Sequence, residues 1–78
     1  MKPLVNYCRW QGVVLRLRGR DDTAVWGHLI NRQNDPETSA PFYFDLKTRQ
    51  LTLHPGENEE RIQLDDMGVV VKDAAHGA

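Results

Sequence analysis

The run Val13-Val14-Leu15-Arg16-Leu17-Arg18 constrains this chain more than any other stretch. Aliphatic side chains at 13, 15 and 17 alternate with guanidinium groups at 16 and 18, the period-two pattern of a strand with one dry and one wet face. Gly19 tolerates positive φ, and Asp21 and Asp22 supply turn chemistry. A second run, Thr23 to Ile30, offers Val25 and Leu29 as core partners for Leu15 and Leu17 while Trp26 and His28 point away. Gly27, in the middle of that run, marks a bulge or bend. The predicted pair of strands thus collects Arg16, Arg18, Trp26 and His28 on one cationic, aromatic face.

The alternation continues downstream. Asn31 to Pro41 holds two prolines, two asparagines and no large apolar residue, and reads as a long exposed loop. Phe42-Tyr43-Phe44-Asp45-Leu46 and Gln50-Leu51-Thr52-Leu53-His54 form a predicted hairpin with Phe42, Phe44 and Leu46 facing in. Pro55 to Glu60 is an acidic, turn-forming loop, and Arg61 to Leu64 alternates again. Leu64 to Gly68 reads as one helical or 3₁₀ turn, capped by an aspartate and ended by glycine, before a last strand at Val69-Val70-Val71. Leu4 to Trp10 fits either a further strand or an irregular flap. The expected core is Leu15, Leu17, Val25, Leu29, Phe42, Phe44, Leu46, Leu51, Leu53, Ile62, Leu64, Met67 and Val70.

Seventy-eight residues make one domain, expected over 1–72 with a flexible tail at 73–78, and a chain this short buries too little surface to enclose a large cleft. The apolar share of 40% is too high for wholesale disorder. No apolar run approaches the roughly 20 residues of a membrane span, and the N-terminus lacks the apolar segment of a secretory signal. The single cysteine, Cys8, rules out an internal disulfide and fits a reducing cytoplasm, as in a bacterial or phage-type cytosolic protein.

Five to six short antiparallel strands without a long helix predict a mainly β domain, a small barrel or roll that disposes of exposed sheet edges. The order of pieces resembles the Sm-like and SH3-like small barrels. Val14-Leu15-Arg16-Leu17-Arg18-Gly19-Arg20 followed by Val25-Trp26-Gly27-His28-Leu29 is similar to their apolar strand, glycine turn and Gly-x-Leu strand. Ile62-Gln63-Leu64-Asp65-Asp66-Met67-Gly68-Val69-Val70-Val71 resembles the short turn and closing strand of such barrels, including the small bacterial inhibitors of transcription termination factor Rho. Where an Sm protein carries an aspartate this chain has Gln33 or Asn34, and the RNA-contacting asparagine falls near Glu37. The resemblance therefore implies an architecture and transfers no functional residue.

The net charge of −1 hides a division: up to Asn34 there are six Lys/Arg against two acids, and from Asp35 onward four against nine. If the fold keeps the halves apart, each attracts partners of opposite sign; if neighbouring strands interleave them, the surface is merely mixed and well solvated. Two binding chemistries follow. Arg16, Arg18 and Arg20, helped by Arg9 and Arg32, could meet phosphates while Trp10, Trp26, Tyr43 and Tyr7 stack on unpaired bases. Against RNA, a pI near 6.3 is low for a dedicated nucleic-acid binder, and tryptophan beside arginine is often a cation–π pair that only covers a sheet. The other chemistry is protein contact by a regulatory adaptor or inhibitor, because Trp and Arg are typical interface anchors and a standard interface needs only about 800 Å² per partner. This second class is the expected function, with Arg16, Arg18, Arg20, Trp26, His28, Trp10 and Tyr43 as binding residues; an open sheet edge also permits self-association. No enzyme is expected, and neither a cofactor nor a metal is implied. Cys8 has no neighbouring His, while His28, His54 and His76 lack ligand spacing. The adjacent Asp21-Asp22 and Asp65-Asp66 pairs suit turns better than a catalytic dyad.

Overall fold

Each run with period-two alternation is a strand. The computed structural model describes residues 1–71 and orders them as α1 (Lys2–Gln11), β1 (Val14–Arg20), β2 (Ala24–Asn31), β3 (Thr38–Asp45), β4 (Gln50–Leu53) and β5 (Glu60–Gln63). The tail expected at 73–78 lies outside these residues. The five strands form one antiparallel sheet in sequence order, β1-β2-β3-β4-β5, a mainly β fold compatible with a small barrel. β1 and β5 are its edges. The Phe42/Leu53 and Phe44/Leu51 pairs of the β3–β4 hairpin fall as the alternation predicts.

The N-terminal segment is neither strand nor flap but a helix. Pro3 lies in the first turn, where a missing N–H costs nothing, and Gly12 ends the helix in the left-handed region at φ 71°. There the N–H of Gly12 donates to Arg9 O and that of Val13 to Cys8 O. Leu4, Tyr7 and Cys8, spaced i, i+3, i+4, form the buried stripe. They join Val25, Leu29, Phe42, Phe44, Leu51 and Leu64 in one core, so α1 closes one face of the sheet.

Two further expectations change. The long loop at 31–41 shrinks to residues 32–37, because Thr38 to Pro41 pair with Asn31 to His28 and extend β3 backward. The turn at 64–68 has its aspartate and glycine where expected, with Asp65 Oδ1 accepting the N–H groups of Met67 and Val69, but makes no helix. Val70 then forms a single bridge to Leu64 rather than a full strand.

Ten of the thirteen expected core residues are buried or pack against the core. Leu17 is 40% exposed because its cross-strand partner is Gly27, which has no side chain to cover it, at an edge strand. Met67 and Val70, 51% and 47% exposed, lie beyond β5, where no further layer covers them among the described residues.

Candidate interaction surface

On the sheet face away from α1, one row crosses all five strands: Gly19, Trp26, Tyr43, Thr52 and Arg61 are successive register partners. Cross-strand neighbours of this kind are about 5 Å apart, close enough for side chains to touch. The rings of Trp26 and Tyr43 stack with centroids 6.3 Å apart and planes 9° from parallel. A Cβ on Gly19 would come within 2.7 Å of the indole, so the absence of a side chain there makes the space Trp26 occupies. Trp26 is therefore half-buried on the outside of the sheet, held between Gly19 and Tyr43, while Tyr43 remains 42% exposed.

Gly27 explains the bulge beside this row. A Cβ there would lie 2.0 Å from Arg16 O, so only glycine lets β1 approach so closely. The register slips between Leu17 and Gly19, making Arg18 the extra residue. Arg16 pairs with His28 before the slip, and Arg18 lines an open groove of about 550 Å³ with Trp26, His28, Pro41, Tyr43 and Pro55. The expected grouping of Arg16, Arg18, Trp26 and His28 on one face is thus present, and Tyr43, a further candidate, joins it through its stack on Trp26.

Three sequence-derived candidates lie elsewhere. After the slip Arg20 is in register with the core residue Val25, which places it on the opposite side from Trp26. Strict alternation without the extra residue puts it wrongly with Arg16 and Arg18. Trp10 is 56% exposed on α1, the layer behind the sheet. Tyr7 is buried in the core, and burial, aided by the Glu60 carboxylate, raises its phenol pKa.

Pro41 and Pro55 were not legible as site residues. The carbonyl of Pro41 accepts the N–H of His54, which brings the β4–β5 loop alongside β3. That loop turns tightly, with φ of 54° at His54, 88° at Gly56 and 53° at Asn58, and the Gly56 N–H donates to Glu59 Oε1. The fold makes Pro55 a wall shared by the first groove and a second of about 190 Å³, which is lined by Tyr43, Asp45, Thr52, Glu59 and Arg61 as well. The only advance signal was a proline-glycine turn after an alternating strand.

Charge on this face changes from one end to the other. Arg16 and Arg18 form no ion pair among the described residues, whereas Arg61 is bound 2.9 Å from Glu59. The Asp45 carboxyl is held below its usual range by N–H donors from Thr48 and Lys47, and that of Glu59 by Gly56 N–H and then Arg61, so both are anionic. Because the sheet runs in sequence order, Arg16 and Arg18 lie on one edge strand and Glu60 on the other, while the two halves meet between them, with Asp45 of β3 in register with Ala24 of β2 and Arg32 3.9 Å from Glu37. Cys8 is buried, its thiol pushed up to about 11, and no group of three or more His, Cys, Asp or Glu among the described residues could hold a metal ion. No described helix is long and apolar enough to cross a membrane. Compared with known proteins, the chain matches no family model, no curated protein and no solved structure, leaving the chemistry of the face itself as the guide to function.

Proposed function

We propose that this chain is a non-catalytic protein-binding module, a small barrel of Sm-like or SH3-like outline that acts as a regulatory adaptor or inhibitor through its Arg16/Arg18/Trp26/Tyr43 face. The observation that carries the reading is the stacked Trp26–Tyr43 pair beside arginines that form no ion pair among the described residues, on the face that α1 does not cover. Aromatic and arginine side chains are the residues that dominate interface energetics. Contacts of the indole with Gly19 and Tyr43 favour a protein over an RNA, since an unpaired base would have to displace one of them to stack fully. A reducing compartment such as the cytoplasm suits the free thiol.

Immobilised wild-type chain and an Arg16→Glu/Arg18→Glu variant, both checked for native circular dichroism, test the reading in host lysate. A protein retained by the first and lost by the second supports it; identical retention by both removes the face from the interaction. The guanidinium groups of Arg16 and Arg18 beside exposed rings also favour a second reading, single-stranded nucleic acid. Titration with a mixed oligonucleotide at low and moderate salt decides it: salt-sensitive binding lost in Trp26→Ala and Arg18→Ala would transfer the function to RNA.

A further inference from the structure

We infer that the outer face takes an extended polypeptide segment lying across the strands, with acidic residues at the β1 end, an apolar residue in the middle and basic residues at the β4–β5 end. This rests on the protein-binding reading of the same face. The two grooves adjoin at Tyr43 and Pro55, which line both, so a segment passing over this pair follows one furrow from Arg18 past Trp26 to Thr52 and Glu59. The furrow carries guanidinium charge at its first end and the carboxylates of Asp45 and Glu59 at its second, with Arg61 already engaged by Glu59. Its middle is the Trp26–Tyr43 pair with the ring of Pro55, a surface suited to an aliphatic or aromatic anchor.

Length follows from sheet geometry. Five strands about 4.8 Å apart span roughly 19 Å, which an extended chain crosses in about six residues. A segment in this direction cannot extend the sheet by backbone pairing, so recognition depends on side chains and on charge order. A uniformly acidic segment meets Asp45 and Glu59 at its far end, and a uniformly basic one meets Arg16 and Arg18.

Selection of a random ten-residue peptide library on phage against the full chain tests the inference, with Trp26→Ala for counter-selection and Tyr43→Ala as a second control at an exposed position. The expected winners carry acid and base four to six residues apart around an apolar residue. Arg18→Glu should weaken such a peptide about fivefold, the effect of an exposed ion pair. Replacing the peptide's acids by serine should abolish that sensitivity. Winners that need Trp26 and Tyr43 but carry charge of one sign, or none, overturn the charge order and leave the protein-binding reading standing. Failure to select any peptide that depends on either ring overturns both.

Discussion

Phe44 and Tyr43 are neighbours in β3, yet one is 1% exposed and the other 42%. Their contrast is that of the two faces of the sheet. The inner face, with Val25, Leu29, Phe42, Phe44 and Leu51, is closed by Leu4, Tyr7 and Cys8 of α1 and by Leu64. The outer face carries rings of comparable size that stack on each other, walled at one side by Pro55 and covered by no element among the described residues. Alternation makes two faces in any strand; a covering layer decides which becomes core. A large aromatic pair left outside that layer is available for a partner.

The strongest test of this contrast is at the bulge that shapes both faces. Gly27→Val should prevent folding, because its Cβ would meet the backbone carbonyl of Arg16 and β1 could not stay paired; loss of the native circular dichroism spectrum is the expected result. Next comes the neighbouring pair itself. Phe44→Ala should cost about 3–5 kcal/mol in urea unfolding, and Tyr43→Ala about 1 kcal/mol, the worth of an exposed aromatic pair. Equal losses would mean that the outer face is a second core.

A subtler test uses pH on the inner face. The Cys8 thiol titrates near 11 when folded and near its ordinary 9.0 when unfolded, so its contribution to stability is complete below pH 9 and is lost as pH rises toward 11. Cys8→Ala should flatten that alkaline limb in unfolding curves measured between pH 8 and 11, and native protein should resist thiol reagents at pH 8. The smallest effect belongs to the outer face. Gly19→Ala should push the indole off its seat at about 1 kcal/mol, detected as a shift in Trp26 fluorescence, whereas an unchanged spectrum would show that Trp26 does not rest there.

Much of the fold was legible because the strands carry their own phase. Leu15, Val25, Phe42, Phe44 and Leu51 hold the inward positions of a period of two, which is a local property of each unbroken strand. The helix was harder: Leu4, Tyr7 and Cys8 have helical spacing, but the apolar Val5 between them and Trp10 after them blur it. Pro3 and Gly12 were the better markers. At the candidate site, Arg16, Arg18, Trp26, His28 and Tyr43 were readable from strand phase. Arg20 was misplaced by one extra residue in β1, Pro41 enters because β3 extends back to pair it with His28, and Pro55 because His54 bonds back to β3.

The amino-acid sequence alone determined which side chains share a face along each unbroken run of strand, since alternation is a local property of extended backbone, and it weighted the basic residues toward the first half of the chain and the acidic ones toward the second. Only the tertiary structure decided that α1 would cover one face and leave the other open, and that the strands would lie in sequence order with Arg16 and Arg18 on one edge strand and Glu60 on the other. It also set the one-residue slip opposite Gly27. These depend on how close two backbones approach and where a distant helix packs, which no local pattern specifies.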